Sequence, residues 1–156
     1  MHFISVGYSE IDTNAVKTYC SNFNPTPDEV AMGDIVEFTS KVENIENLPH
    51  FELLTGGFPC QTFSMMGKQA GFNEDRGQMF FRIMDIVRIK RPRYVLLENV
   101  KNLFTHDKGN TFARIKEELE HEGYNVIANI FNTADSLGTY IVLSVQFHED
   151  SSCHSI

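Results

Sequence analysis

The hydrophobic pattern of the chain switches repeatedly between strand-length apolar runs and longer segments with helical spacing. The apolar runs predict strands over residues 3–8, 51–55, 94–97, 124–131 and 140–147. Amphipathic segments predict helices over residues 12–23, 78–91 and 111–122. Strands that alternate with helices are typical of an α/β protein with a mostly parallel sheet, and helices flank such a sheet.

Start and stop residues support these helices. Asp12 and Asn110 are suited to cap the first and third helices, and Pro92 ends the second. The sequence Thr-Pro-Asp-Glu at residues 26–29 fits a capping box and predicts one further short helical turn. The acidic and polar stretch over residues 41–50 predicts a surface connection.

The run Tyr94–Leu97 is apolar at every position, which favours a parallel strand that is buried on both faces. Polar groups follow this strand and two others: Glu10 follows the first strand, Cys60 the strand over residues 51–55, and Glu98 the run Tyr94–Leu97. Ligands bind at the carboxyl ends of strands in an open parallel sheet. We therefore expect one cleft that holds a nucleotide-like cofactor, a thiol and a carboxyl group.

The segment from Leu53 to Gln61 has the features of a displayed nucleophile. Two glycines end the apolar run, a proline stiffens the corner, and Cys60 follows it, ahead of a long loop. A thiol is weakly ionised near neutral pH, so it needs an activated electrophile, and a protonated carboxyl at Glu98 is suited to activate one. Taken singly, a cysteine is more often an inert buried residue, and a glutamate at a strand end is more often a surface residue.

Length and composition limit the class of protein. The 156 residues suit one domain over residues 1–147, followed by a tail over residues 148–156 that we expect to be disordered. The three cysteines are widely spaced, which argues against a disulfide framework and favours a reducing cytoplasm. We find neither a signal segment nor a membrane-spanning run, and expect no membrane association. The tail residues His148, Cys153 and His154 fit no established zinc spacing, so we predict no metal site.

The net charge of −8 is unevenly distributed. Residues 58–116 contain eleven basic and five acidic residues, a net charge of +6, whereas the rest of the chain carries −14. Such a division suits a protein with one phosphate-facing side. Solvated charges on ordinary helices explain the same distribution equally well.

Ordered motifs give the chain a resemblance to the cytosine-5 DNA methyltransferases. Gly-Gly-Phe-Pro-Cys-Gln-x-Phe-Ser at residues 56–64 resembles the family's catalytic loop, and Glu-Asn-Val at residues 98–100 its second catalytic segment. Further matches lie at residues 8–12, 33–35, 74–77 and 132–135, so the resemblance runs from about Phe3 to Asp135. It implies a Rossmann-like fold that uses S-adenosyl-L-methionine as cofactor and double-stranded DNA as substrate.

The resemblance also implies a catalytic role for each segment. Cys60 would attack carbon 6 of a flipped cytosine, and Glu98 would protonate or hydrogen-bond nitrogen 3, so that carbon 5 accepts the methyl group. Pro59, Gln61 and Asn99 belong to the same two catalytic segments. This activity is the one found in restriction-modification, and it favours a cytoplasmic or nucleoid-associated protein.

Other residues would contact cofactor and DNA by the same resemblance. Glu10 would hold the ribose, Ile11 and Ile35 would flank the adenine, and Asp34 would accept a hydrogen bond from its amino group. The remaining implied cofactor contacts are Phe58, Pro59 and Met79. The implied DNA contacts are Ser64, Lys68 and Arg76.

The chain departs from the family pattern at both ends. In the family, a first strand and a glycine loop precede the segment that matches Phe3. An arginine-containing motif follows the match to Asp135, at the place where this chain reads Ser136 to Thr139. We also expect the target-recognition domain to be missing. These departures favour a truncated or split enzyme that needs a complementary methyltransferase subunit. An inactive relic, a non-catalytic nucleic-acid-binding module and an RNA cytosine methyltransferase are the alternatives.

Overall fold

Strands and helices alternate along residues 3–58, 79–133 and 138–147, the parts of the chain that the computed structural model describes. The strands are β1 (Gly7–Tyr8), β2 (Val30–Ala31), β3 (Leu53–Gly57), β4 (Tyr94–Val100), β5 (Tyr124–Thr133) and β6 (Gly138–Phe147). The α-helices are α1 (Thr13–Phe23), α2 (Ile35–Thr39), α3 (Val42–Glu46), α4 (Met79–Lys90) and α5 (Asn110–His121). The predicted α/β class is confirmed.

The described strands form two sheets. β1 pairs with β2 in parallel, and the larger sheet has the order β3-β4-β6-β5. β3 and β4 are parallel, as predicted, whereas β6 is antiparallel to both β4 and β5. Only residues 134–137 connect β5 to β6, and a connection this short joins antiparallel strands because a parallel crossover needs a dozen or more residues. The sheet is therefore mixed.

Local signals explain where α1 begins and ends. Asp12 caps the helix, since its Oδ1 accepts hydrogen bonds from the backbone N–H groups of Asn14 and Ala15 at 2.8 and 2.9 Å. Asn24 ends it in the left-handed conformation, with φ of 46°. This is the helix predicted over residues 12–23.

Two predictions for the next segment are wrong. Residues 26–29 form a turn rather than a helix, because Val30 and Ala31 directly after them pair with β1. The stretch over residues 41–50 is not merely a surface connection, because it contains α3, whose Ile45 is buried with Ile86 of α4 in a small apolar cluster. Burial of a few apolar residues is enough to hold so short a helix.

The main core lies on one face of the four-stranded sheet, under α4 and α5. Its buried members include Phe80 and Met84 of α4, Ile115 and Leu119 of α5, and Val95 and Leu97 of β4. β4 alternates strictly between exposed and buried positions, so the prediction that it is buried on both faces is wrong. An apolar run of strand length does not by itself reveal whether both faces are covered.

The opposite face of the described sheet is exposed and carries large apolar side chains among polar ones. Strand register places five large apolar side chains on it, with exposed fractions from 37% to 59%, and we call this set the open sheet face: Leu53, Tyr94, Leu96, Val100 and Ile127. β3 also lies at an edge of the described sheet, so its outer backbone groups have no strand partner there. Exposed large apolar side chains beside an unpaired strand edge are typical of an interaction surface.

Ion pairs hold the C-terminal end of α4 to α5. Arg88 binds Glu118 and Glu122, with N–O distances of 3.0 and 2.9 Å, and Arg91 binds Glu122 at 3.0 Å. The hydrogen bond from Arg88 lowers the pKa of Glu122 against the opposing effect of burial, and the charge of Arg91 lowers it further. Two of the eleven basic residues in 58–116 therefore join the two helices, as the structural explanation of the charge distribution expects.

The Glu122 contacts predict a pH-dependent contribution to stability. A carboxyl group whose pKa is lower in the folded state stabilises the fold above its unfolded pKa and loses this effect as pH falls through the folded pKa. Glu122→Gln should lower the free energy of unfolding by about 1 kcal/mol at pH 7, because the arginines are partly exposed. The difference from wild type should vanish in urea titrations below the folded pKa of Glu122. Glu117→Gln, at an exposed position of α5, is the control and should show no such trend.

Candidate functional site

The carboxyl ends of β3 and β4 bring two predicted catalytic segments together. Gly57, the last residue of β3, is paired in register with Glu98 of β4. A Cβ atom at residue 57 would lie 3.2 Å from Oε2 of Glu98, so the carboxylate lies directly over the bare glycine backbone. Glycine at this position leaves room for a carboxylate beside the segment that leads to Cys60.

Glu98 faces away from the main core. It is exposed, on the same side of β4 as Tyr94, Leu96 and Val100. The described residues therefore leave the Glu98 carboxyl group open to solvent. Groups that cover the open sheet face would change this environment directly.

Asn99 lies on the opposite face of β4 and is 3% exposed. Its Nδ2 donates a hydrogen bond to the carbonyl oxygen of Phe58 at 2.6 Å, and its Oδ1 accepts one from the N–H of Val100 at 2.8 Å. The Phe58 side chain is also buried, with its ring centroid 5.3 Å from that of Phe80. The side-chain amide thus joins the end of β4 to the residue before Pro59.

The predicted cofactor residues Glu10 and Asp34 follow the parallel strands β1 and β2. Oε1 of Glu10 accepts hydrogen bonds from the N–H groups of Ile11 and Asp12, both at 2.8 Å. Oδ1 of Asp34 accepts one from the N–H of Val36 at 2.8 Å and caps α2. Each carboxylate orders its own loop with one oxygen, and its second oxygen is suited to accept from a ligand hydroxyl or amino group.

A serine that sequence reasoning missed connects these two loops. Ser9 Oγ donates a hydrogen bond to the carbonyl oxygen of Gly33 at 2.7 Å, and Gly33 has φ of 65°. The bond links the residue before Glu10 to the residue before Asp34. No spacing in the sequence indicates it, because the two residues are 24 positions apart.

The four apolar cofactor candidates within the described residues differ in exposure. Ile11 is 73% exposed and available to a ligand. Ile35 and Met79 are half-buried and pack against the core clusters, so only part of each side chain is accessible. Phe58, predicted to contact cofactor, is buried in the main core.

The remaining predicted site residues lie outside the described residues. They are Pro59, Cys60, Gln61, Ser64, Lys68 and Arg76. The tail over residues 148–156 also lies outside. Within the described ranges, no helix has the length and apolarity needed to cross a membrane, and no cluster of three or more His, Cys, Asp or Glu side chains is suited to hold a metal ion.

A family model and the similar known proteins indicate the same protein family. The family model described as C-5 cytosine-specific DNA methylase matches residues 1–137. The chain is 47% identical over 131 residues to the type II methyltransferase M1.ScrFI of Lactococcus lactis subsp. cremoris, covering 84% of this chain and 31% of that protein. It is 47% identical over 127 residues to the type II methyltransferase M.SsoII of Shigella sonnei, covering 81% of this chain and 31% of that protein.

Solved structures support the same fold. The Entamoeba histolytica methyltransferase EhMeth matches with a TM-score of 0.61 and 25% identity, over 95% of this chain and 48% of that one. S. pombe Dnmt2 methyltransferase matches with a TM-score of 0.61 and 18% identity, over 91% of this chain and 41% of that one. The chain therefore spans less than half the length of each relative named here.

Proposed function

This chain belongs to the C-5 cytosine-specific DNA methylase family, and we propose that it supplies the catalytic core of a DNA cytosine-5 methyltransferase. The observation that carries the proposal is the parallel pairing of β3 and β4, which sets Glu98 beside Gly57, three residues before Cys60. A nucleophile and a proton donor at neighbouring strand ends are the groups that this reaction needs. The type II methyltransferase relatives favour a role in restriction-modification.

The proposed reaction begins with a cytosine flipped out of double-stranded DNA, because its ring atoms cannot be reached within the base stack. The Cys60 thiolate attacks carbon 6 and forms a carbon–sulfur bond, while Glu98 gives a proton or a hydrogen bond to nitrogen 3. Electron density moves to carbon 5, which takes the methyl group. Loss of the carbon-5 proton then expels Cys60 and restores the aromatic ring.

S-adenosyl-L-methionine supplies the methyl group when it is bound. Glu10 would accept hydrogen bonds from ribose hydroxyls, and Asp34 would accept one from the adenine amino group. The arrangement fits this assignment because β1 and β2 end side by side and Ser9 joins their loops. Ile11, exposed beside Glu10, would pack on the adenine.

We propose that the open sheet face is covered by a complementary methyltransferase subunit. Covering this face would exclude water from Glu98, which is exposed among the described residues. It would also remove apolar surface from water, including Leu96 and Ile127. The matched relatives have two-thirds or so of their length outside the matched stretch, which is enough to supply such a cover.

The helix contacts argue against a purely nucleic-acid-binding role. Arg88 and Arg91 bind the carboxylate of Glu122, directly after α5, and Arg93 and Arg114 lie over the rings of Tyr94 and Phe81. These cations are therefore engaged within the fold. Phosphate contacts would depend on Ser64, Lys68 and Arg76, as the family resemblance implies.

A chimera tests the proposed function. In this protein, called the ScrFI chimera below, the 131 aligned residues of this chain replace the matching stretch of M1.ScrFI. We expect the chimera to transfer tritiated methyl groups to duplex DNA, and the 156-residue chain alone to bind S-adenosylmethionine weakly and to transfer none. A chimera that folds and binds DNA but transfers no methyl group would identify an inactive relic. Robust transfer by the chain alone would refute the need for a complementary subunit.

A further inference from the structure

The strongest unexplained feature of the site is the buried side-chain amide of Asn99. It is only 3% exposed, and both of its polar atoms make short hydrogen bonds to the backbone. Because β4 alternates between faces, Asn99 points to the side covered by α4 and α5, while Glu98 points to the open sheet face. Asn99 is therefore on the wrong side of the sheet to touch the same base as Glu98.

The bond from Asn99 lies just beyond the end of the β3–β4 ladder. The last paired residues are Gly57 of β3 and Glu98 of β4. Phe58 follows Gly57, and Asn99 follows Glu98. The hydrogen bond of 2.6 Å from Nδ2 to the Phe58 carbonyl oxygen thus joins the strands one residue past their last regular pair. It fixes the place where the chain leaves β3 toward Cys60.

The packing of Phe58 fixes the geometry of this hydrogen bond. Its ring is held in the main core against Phe80, so the side chain fixes one side of the residue. The Asn99 amide holds the carbonyl on the other side, and the Val100 N–H fixes the rotation of that amide through Oδ1. With its ring and its carbonyl oxygen both held, Phe58 has a fixed orientation at the end of β3, next to the Gly57–Glu98 pair.

We propose that Asn99 is a positioning residue, which sets the distance between the Cys60 segment and Glu98 without touching the base. The proposal rests on the proposed function, since the two segments matter together only if they act on one cytosine. Catalysis is sensitive to such placement, because a shift of about 1 Å at reacting groups lowers rates by about 10²-fold. The substrate itself makes no contact with Asn99, so its affinity should not change.

The first test examines the hydrogen bond between Asn99 and Phe58 in the intact 156-residue chain, without DNA. Asn99→Ala should increase amide hydrogen exchange in peptides that cover residues 53–58 by about fivefold, the factor expected for one lost buried hydrogen bond. Tyr124→Phe is the matched control. The Tyr124 hydroxyl donates a buried hydrogen bond to the Pro92 carbonyl oxygen at 2.7 Å, near the other end of β4. This control should leave exchange over residues 53–58 unchanged.

The second test measures steady-state methylation in the ScrFI chimera. Asn99→Ala should lower kcat about 10²-fold and leave KM for DNA unchanged, while Tyr124→Phe should keep the wild-type kcat. Asn99→Asp should behave differently with pH, because a protonated carboxyl again has one donor for the Phe58 carbonyl. Its rate relative to wild type should rise as pH is lowered, whereas that of Asn99→Ala should stay constant.

The results separate the two proposals. The positioning role would be overturned if Asn99→Ala kept wild-type hydrogen exchange and kcat, or if it changed only KM. A loss of kcat in Tyr124→Phe as large as that in Asn99→Ala would also overturn it. Absence of any methyl transfer and of any Cys60 adduct in the wild-type chimera would overturn the proposed function instead. The exchange measurement needs no enzymatic activity. Unchanged exchange in Asn99→Ala would therefore overturn the positioning role of Asn99 even if the chimera were inactive.

Discussion

Cys60→Ser in the ScrFI chimera should abolish covalent capture of DNA that contains 5-fluorocytosine at the target position. In the proposed reaction the bond between Cys60 and carbon 6 breaks only when the carbon-5 proton leaves, and fluorine at carbon 5 cannot leave in this way. The wild-type adduct should therefore accumulate and appear by intact mass. The serine hydroxyl is a much weaker nucleophile than a thiolate, so methyl transfer to ordinary DNA should fall by at least about 10³-fold.

A second cysteine provides the control for this prediction. Cys20 lies on α1 and is half-buried, far along the chain from the β3 and β4 ends. Cys20→Ser should keep both the adduct and the methylation rate. An adduct of undiminished yield in Cys60→Ser, or one lost equally in both variants, would contradict the assignment of Cys60 as nucleophile.

The longer elements of the fold could be predicted from the sequence because their patterns are periodic. The helix predicted over residues 78–91 agrees with α4, since five of its side chains form one buried stripe. Shorter elements were missed, because α3 has only five residues and depends on the contact between Ile45 and Ile86. Periodicity within so few residues carries little information.

The pairing of Glu98 with Gly57 at the end of β3 could be predicted, because parallel neighbours end at the same edge of a sheet. The prediction that Cys60 lies near Glu98 falls outside the described residues. The face on which each side chain lies could not be predicted. Successive side chains of a strand point to opposite faces, but the unbroken apolar run from Tyr94 to Leu97 does not show which face is covered. It therefore does not show that Asn99 is buried and Glu98 exposed. The contact from Asn99 to Phe58 spans 41 residues of sequence, so no local pattern indicates it.

Glu98→Gln should lower kcat in the ScrFI chimera by about 10²- to 10⁴-fold, the usual contribution of a positioned acid or base. Glutamine keeps the size of the side chain and can still donate a weak hydrogen bond, but it cannot give a proton to nitrogen 3. Carbon 6 then remains a poor electrophile, so adduct formation with 5-fluorocytosine DNA should slow by a similar factor. Rapid-quench measurement of the adduct would show this, and an unchanged adduct rate would contradict the role of Glu98 as the activating acid.

The glycines of β3 test whether the position of Glu98 matters as well as its charge. Gly57→Ala places a Cβ atom 3.2 Å from Oε2 of Glu98, so the carboxylate must move by a few tenths of an ångström. We expect kcat to fall by about tenfold with little change in the free energy of unfolding, because the displaced group is the exposed end of a flexible side chain.

Gly56→Ala is the matched control, since its Cβ would lie 3.2 Å from Cδ1 of Ile83 in the core. That variant should lose stability through overpacking by about 1 kcal/mol or more and keep its kcat. If the two substitutions changed rate and stability in the same proportion, the drop in kcat would reflect general distortion of β3 rather than displacement of the Glu98 carboxylate.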